Sequence, residues 1–113
     1  MTLVVFLATA QLCFGVHCYP VLVGNDTPTG QFALHRRYVQ ANGYGGDVLQ
    51  FDETSSDIMA IHRVWLGRPA EHRAERLASG DVLQRRSVTH GCINVDPAVY
   101  EQIVGADTLT INP

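Results

Sequence analysis

The chain has 113 residues, the length of one compact domain. Hydrophobic residues make up 46% of it and charged residues 17%, so the chain can bury a core and is not a disordered segment. Its formal net charge of -3 argues against a protein that binds DNA or RNA, because phosphate contacts require clustered Lys and Arg. We therefore expect one globular domain over residues 1–113 and no nucleic-acid partner.

The N-terminal segment is apolar, but it predicts strands rather than an export signal or a membrane span. Residues 2–7 are β-branched and aromatic, and residues 10–14 continue the pattern. No Lys or Arg precedes Arg36, so the positive region that opens a secretory signal peptide is missing. No apolar run reaches the roughly 20 residues of a membrane helix. We expect neither a signal peptide nor a membrane span in this sequence.

Two of the three cysteines, Cys13 and Cys18, flank a predicted turn. If Gly15 and Val16 are its two central residues, the cysteines face each other across a hairpin, where a disulfide can form. Free cysteine is often buried as a small apolar residue, and we favour that interpretation for this pair. The cysteines and histidines show no zinc-ligand spacing, so we expect neither a metal nor another cofactor.

The rest of the chain predicts short strands and two helices. Strands are predicted at 17–23, 31–39, 48–51, 58–62 and 108–111, with turn-rich loops at 24–30, 42–46 and 52–57. One helix is predicted from Pro69 to Ala78, and its many charges are typical of a solvated face. The second is predicted at 98–104, with Asp96 as N-cap and Pro97 in the first position. The pattern indicates a mainly β, single-domain architecture with about seven strands.

The third cysteine, Cys92, lies in the run Thr-His-Gly-Cys-Ile-Asn at positions 89–94. Gly91 permits a close turn in which consecutive backbone N–H groups converge on the sulfur, as an oxyanion hole requires. A thiol with its ordinary pKa is mostly protonated at neutral pH, so a nucleophile here needs a base. His90 lies two residues away and His62 ends a predicted strand. We favour His62, with His90 as the alternative base.

These residues resemble the catalytic signature of the L,D-transpeptidases, the YkuD-like family. That family carries an upstream His and then [Ser/Thr]-His-Gly-Cys-x-[Asn/Arg], which residues 89–94 match at every defined position. The segment Thr27-Pro-Thr-Gly-x-Phe32 looks like the family's Thr-Pro-x-Gly-x-Phe loop, and the opening strands look like its first two. The resemblance spans nearly the whole chain and implies a YkuD-like β-sandwich or barrel.

The resemblance implies a cysteine acyltransferase that acts on peptidoglycan stem peptides. Cys92 would form a thioester with the acyl donor, and His62 would be the general base, its tautomer fixed by a backbone carbonyl. His90 would shape the pocket and assist with charge, and the amides around Gly91 and Cys92 would bind the oxyanion. The residues expected to contact substrate are Thr89, Asn94, Arg63 and Arg68. An amine acceptor would give cross-linking or amino-acid exchange, and water would give L,D-carboxypeptidase activity.

The chain departs from the family pattern between its upstream histidine and its cysteine. Arg63 stands where the family commonly has Gly, and Cys92 follows His62 by 30 positions, more than is usual. We interpret residues 67–86, which include the first predicted helix, as an inserted lid over the cleft. Its arginines can pair with the carboxylates of stem peptides.

Two other functions remain open alongside an envelope-modifying enzyme. The small size and the absence of a wall-anchoring domain fit a secreted toxin that applies the same chemistry to a rival's cell wall. A binding module with a vestigial cysteine and no catalysis is the third alternative. Each of the three places the protein in the periplasm or the cell envelope, and we expect a monomer.

Overall fold

The computed structural model describes residues 1–41 and 43–113; Asn42, the first residue of the predicted loop at 42–46, lies outside the described residues. The described residues form nine strands and four short helical elements. The strands are β1 Thr2–Phe6, β2 Gln11–Phe14, β3 His17–Pro20, β4 Gly30–Ala33, β5 His35–Tyr38, β6 Asp47–Glu53, β7 Ile58–Arg63, β8 Ile93–Val95 and β9 Thr108–Asn112. The helical elements are a 3-10 turn at Pro69–Glu71, α1 Arg73–Ala78, α2 Leu83–Arg86 and α3 Pro97–Ile103.

The strands form two sheets around one core. The first sheet has the order β3-β2-β1-β9-β4, and the second has the order β5-β6-β7-β8. Strands β1 and β9 run parallel, as do β7 and β8, and the other named pairs are antiparallel. The core combines side chains from both sheets and from α3, among them Leu12, Ile61, Tyr100 and Leu109. The mainly β architecture expected from the sequence is confirmed.

The apolar N-terminal segment forms strand β1, between β2 and β9. Leu3 and Val5 are completely buried, whereas Thr2 and Phe6 are exposed, so the strand has one core-facing side. Burying each of these aliphatic side chains contributes about 1.5–3 kcal/mol. The predicted strands at 2–7 and 10–14 are therefore confirmed, with the alternation that a half-buried strand requires.

One predicted strand and one predicted helix are each divided in two. The strand predicted at 31–39 breaks at Leu34, whose backbone N–H donates to the Asp107 carbonyl at 2.8 Å, and its halves enter different sheets as β4 and β5. The helix predicted from Pro69 to Ala78 breaks at His72, which has φ +53°. A third helix, α2, was not predicted.

No described helix is long and apolar enough to cross a membrane.

The interpretation of Cys13 and Cys18 as free, buried thiols is wrong. The two residues are directly opposite in the β2–β3 hairpin, with Gly15 and Val16 as its turn, and they form a disulfide with 4.1 Å between their Cα atoms. Cys18 is exposed and Cys13 is half-buried, so neither fills the core. The alternative that the sequence left open, a cross-strand disulfide, is the one found.

Helix α3 begins at the predicted cap. The side chain of Asp96 accepts a hydrogen bond from the Ala98 backbone N–H at 2.8 Å, and Pro97 occupies the first helical position, where no N–H is needed. The helix buries Val99, Tyr100 and Ile103 against the core. The cap thus fixes where the helix begins, directly after strand β8.

Replacing the cap tests this helix start. Asp96→Ala should lower the free energy of unfolding by about 1 kcal/mol, because it leaves the Ala98 N–H without its acceptor. The matched variant Asp96→Asn keeps an acceptor oxygen and should stay close to the original protein. Urea unfolding followed by circular dichroism measures both. Equal losses in the two variants would contradict a capping role.

Candidate active site

A cavity of about 320 Å³ contains both Cys92 and His62. The residues that line it come from the loop before β6, from β7 and the chain after it, and from the run that contains Cys92: Tyr44, Asp57, Ile58, Met59, His62, Trp65, Arg68, Glu71, Arg73, Thr89, His90 and Cys92. The sequence predicted five of these as site residues, namely Cys92, His62, His90, Thr89 and Arg68. The structure therefore brings together predicted site residues that are up to 30 positions apart in the chain.

Cys92 lies immediately before β8, beside the part of β7 that β8 does not reach. Its Sγ lies 3.7 Å from the Ile58 carbonyl oxygen, and no imidazole of the described chain hydrogen bonds to it. Burial raises the pKa of the Cys92 thiol, while a hydrogen bond from the Ala60 backbone and the charge of Arg73 act to lower it. The resting side chain is accordingly a neutral thiol at neutral pH.

His62 is buried in strand β7, with 2% of its surface exposed. Its Nδ1 lies 2.6 Å from the Arg63 carbonyl oxygen, which can only accept, so Nδ1 carries the proton and Nε2 has the lone pair. The Tyr44 ring packs edge-on against the imidazole at 4.7 Å between centroids. Burial lowers the pKa of His62 to about 4, which leaves the ring neutral at neutral pH.

Asn94 faces the protein interior, not the cavity, and is completely buried. Its Oδ1 accepts hydrogen bonds from the Trp65 backbone N–H at 3.0 Å and from the Arg73 guanidinium at 3.1 Å. Its Nδ2 lies 3.4 Å from His62 Nε2. The expectation that Asn94 contacts substrate is therefore corrected, since this side chain contacts the histidine.

Thr89 and Gly91 shape the turn that leads into Cys92. The Thr89 hydroxyl donates to the Cys92 carbonyl at 2.6 Å and accepts from the Gly91 N–H at 3.1 Å. Gly91 has φ +137°, and a Cβ there would lie 2.8 Å from the Met59 methyl carbon, so the position needs glycine. The Gly91 N–H is thus already occupied, which corrects the expectation that it faces an oxyanion.

The loop that resembles the Thr-Pro-x-Gly-x-Phe motif supports this turn from behind. Thr27 is buried, accepts from the Gly24 N–H at 2.9 Å and donates to the Gly91 carbonyl at 3.1 Å. At Gly24 an added Cβ would lie 2.0 Å from the Thr89 carbonyl oxygen. Gly24 was not predicted as a site residue. Because it has no Cβ, its backbone can lie against the backbone of Thr89.

Arg63 lies outside the cavity, contrary to the expectation that it binds substrate. Its Nη1 pairs with Asp47 Oδ1 at 2.9 Å, and its guanidinium stacks over the Tyr100 ring at 4.2 Å. Asp47 Oδ2 also accepts from Arg36 and from the Tyr100 hydroxyl. Although burial acts to raise the pKa of Asp47, these hydrogen bonds hold it below its usual range.

The Arg63 guanidinium also contacts the loop that carries Tyr44, whose ring packs on His62. The same Nη1 approaches the carbonyl oxygens of Tyr44 at 3.4 Å and of Gly45 at 3.3 Å. A Cβ on Gly45 would lie 2.7 Å from the Arg63 side chain. Arg63 therefore acts on the site through the loop that carries Tyr44.

Two predicted site residues, His90 and Arg68, are exposed at the rim of the cavity. Arg68 comes from the segment 67–86, which also contributes Glu71 and Arg73 to the lining. The interpretation of the whole segment as an inserted lid stays a prediction. Sequence reasoning missed Tyr44 and Trp65, and it included Arg73 only among the arginines of the segment 67–86.

A second cavity, of about 400 Å³, is also lined by Cys92. Cys92, His62, Tyr44 and Ile58 line both cavities, and residues 37–41 belong to the second alone. Within residues 1–41 and 43–113, no three His, Cys, Asp or Glu side chains are grouped as metal ligands. The arrangement places a thiol and a neutral, oriented imidazole in the lining of both cavities.

The comparisons with known proteins concern the fold. No protein-family model and no curated protein matches the sequence. Among solved structures, L,D-transpeptidase 3 from Mycobacterium tuberculosis matches 99% of the chain with a TM-score of 0.65 and 14% sequence identity. The chain has the L,D-transpeptidase fold. An L,D-transpeptidase from Mycobacterium smegmatis matches 99% of the chain (TM-score 0.59, 16% identity), and one from Xylanimonas cellulosilytica matches 97% (TM-score 0.59, 14% identity).

The shared fold covers only part of those proteins. The chain spans 60%, 58% and 59% of the three solved chains, respectively. The agreement thus confirms the architecture that the sequence resemblance implied. The roles of the residues around Cys92 rest on their geometry in this chain.

The buried, neutral His62 predicts a pH dependence of stability. The unfolded chain protonates this histidine below its ordinary pKa of about 6.5, whereas the folded chain does so only near 4. Between these values the unfolded state binds more protons, so stability falls as the pH falls through this window and is complete above it. Lowering the pH from 7.5 to 5 should cost about 2 kcal/mol through His62.

Urea unfolding at the two pH values measures this loss, with His62→Gln as the matched variant. The variant has no group that titrates at this position, so its stability should change less between the two conditions. An equal change in both proteins would contradict a buried neutral imidazole.

Proposed function

We propose that the protein is a cysteine acyltransferase of the L,D-transpeptidase type, which acts on peptidoglycan stem peptides through a thioester at Cys92. The observation that carries the proposal is the presence, in one cavity of this fold, of the cysteine of a Thr-His-Gly-Cys run and a histidine with a defined tautomer. The fold of the solved L,D-transpeptidases and the signature at residues 89–94 support the same reaction class.

The resting thiol and imidazole are both neutral, because burial disfavours the charged form of each. In the proposed acylation, Sγ attacks the carbonyl carbon of the L,D peptide bond while its proton moves to His62 Nε2. The tetrahedral intermediate then expels the D-amino acid, whose leaving amine takes the proton from His62. A thioester on Cys92 and a free D-amino acid result, and His62 is neutral again.

The second half of the reaction reverses the direction of proton transfer. An acceptor amine attacks the thioester carbonyl, His62 removes the proton from that amine, and the Cys92 thiolate leaves and takes the proton back. We assign the oxyanion in both halves to the backbone N–H of Cys92, because the Gly91 N–H donates to Thr89. Water in place of the amine gives a carboxypeptidase product.

The two cavities give this scheme separate places for donor and acceptor. Exposed Arg68 lines the first cavity, where a guanidinium suits a stem-peptide carboxylate. We assign the donor to this side and the acceptor to the second cavity, which shares Cys92 and His62 with the first. Residues 67–86 then cover the donor, and the reaction takes place where stem peptides are found, in the periplasm or cell envelope.

Acylation of Cys92 by faropenem tests the nucleophile and the base. The solved M. tuberculosis protein is described in complex with a faropenem-derived adduct. In this chain, the Cys92 thiol should attack the β-lactam carbonyl and open the ring to form a thioester. Intact-mass spectrometry should show one adduct per chain, with none on Cys92→Ala. Because His62 is the proposed base, His62→Gln should slow adduct formation by about 100-fold or more.

His90→Gln is the matched control, since His90 lines the same cavity but is exposed at its rim. It should retain most of the acylation rate. A slow His90→Gln protein together with a fast His62→Gln protein would transfer the role of base to His90. An adduct on folded Cys92→Ala protein would exclude Cys92 as the nucleophile.

A further inference from the structure

Arg73 is a nearly buried cation in the segment between His62 and Cys92. Its side chain is 10% exposed, and it opens helix α1. The guanidinium donates through Nε to Glu71 at 3.0 Å and through Nη1 to Asn94 Oδ1 at 3.1 Å, and it lies 5.1 Å from the centre of the Trp65 ring. Three different groups therefore fix its position.

Arg73 is one of two donors that determine how the Asn94 side chain is oriented. Asn94 Oδ1 receives two donors, the Arg73 guanidinium and the Trp65 backbone N–H at 3.0 Å. A flipped amide would place its own NH₂ group against both donors, which is unfavourable in a buried site. The NH₂ group must therefore point to His62 Nε2, 3.4 Å away.

The orientation of Asn94 in turn restrains His62. The imidazole is held at Nδ1 by the Arg63 carbonyl and approached at Nε2 by the Asn94 amide. The second contact is long, so the Nε2 lone pair keeps the capacity to accept another proton. The chain of contacts runs from Arg73 through Asn94 to the proposed base, and Arg73 needs no contact with substrate to act on it.

The charge of Arg73 also acts on both reacting groups. It lowers the pKa of the Cys92 thiol and the pKa of His62, although burial is the larger influence on each. The other charged or titratable groups that line the cavity are Tyr44, Asp57, Arg68, Glu71 and His90. Glu71 neutralises part of the Arg73 charge, and Asp57 acts on the thiol in the opposite direction.

We propose that Arg73 is a positioning residue of the Cys92 site, which orients His62 through Asn94 and places a positive charge near the thiol. The proposal rests on the proposed function, since it assigns His62 the role of base. The segment 67–86 thereby has a second role in the site besides covering it, since it supplies a residue that helps to orient the base.

The test compares Arg73→Met and Arg73→Lys with Arg76→Met, which removes an arginine one turn along the same helix. Asn94→Ala and the double variant Arg73→Met/Asn94→Ala complete a cycle. Turnover of tetrapeptide muropeptides gives kcat and KM. The pH profile of Cys92 alkylation by iodoacetamide reports the thiol without any turnover. Circular dichroism checks that each variant is folded.

Arg73→Met should lower kcat by about tenfold with little change in KM, because it disturbs the base and not substrate binding. Its alkylation profile should move to higher pH, whereas Arg73→Lys, which retains the charge, should move less, and Arg76→Met should match the original protein. In the Asn94→Ala background, Arg73→Met should lower kcat by less than it does in the original protein, because the two substitutions share one chain of contacts and only the charge of Arg73 acts independently of Asn94.

An unchanged kcat in a folded Arg73→Met protein, or losses that simply add in the double variant, would overturn the proposal. If the original protein turns over no muropeptide, the proposed function fails, and the alkylation profile alone decides the role of Arg73. A profile that does not respond to Arg73→Met would then reject it. If Arg73→Met does not fold, Arg73→Gln replaces it in every comparison.

Discussion

The parallel pairing of β7 with β8 is the constraint on which the rest of the site depends. Its register places His62 opposite Asn94 and Ile61 opposite Ile93, so Cys92 stands just before the paired region. Strand β7 begins at Ile58, before β8 joins it, and its unpaired edge faces the Cys92 sulfur. A one-residue shift in this pairing would turn the His62 or Asn94 side chain to the other face of the sheet. This short pairing therefore brings Cys92, His62 and Asn94 together, although Cys92 follows His62 by 30 positions in the sequence.

So short a strand as β8 needs support from both sides. The backbone of Asn94 exchanges two hydrogen bonds of 2.9 Å with Leu22 on the side away from β7, and all three residues of β8 are buried. Behind β7, the Asp47–Arg63 ion pair and the Tyr100 ring hold the loop that presents Tyr44 to His62. Removing one partner of a buried ion pair leaves an uncompensated charge and lowers the free energy of unfolding. A change in this network would therefore affect both the loop of the site and the stability of the domain.

Features encoded by neighbouring residues could be predicted from the sequence, and features that depend on distant contacts could not. The Cys92 run, the strand that ends near His62 and the α3 start at Asp96 and Pro97 all have local signals. Strand β8 has only three residues and exists through its partners, and the break at Leu34 depends on its bond to Asp107. Arg63 and Asn94 were expected to contact substrate, but their side chains contact Asp47 and His62, which are 16 and 32 positions away in the sequence.

The central claim is that Cys92 exchanges the acyl group of a stem peptide. Mass spectrometry of purified muropeptides, incubated with the protein and in parallel with Cys92→Ala, measures this most directly. We expect products that depend on Cys92: cross-linked dimers, tetrapeptides with an exchanged terminal D-amino acid, or tripeptides. Their proportions separate amine acceptors from water. Muropeptides that are identical after incubation with the two folded proteins would contradict the account.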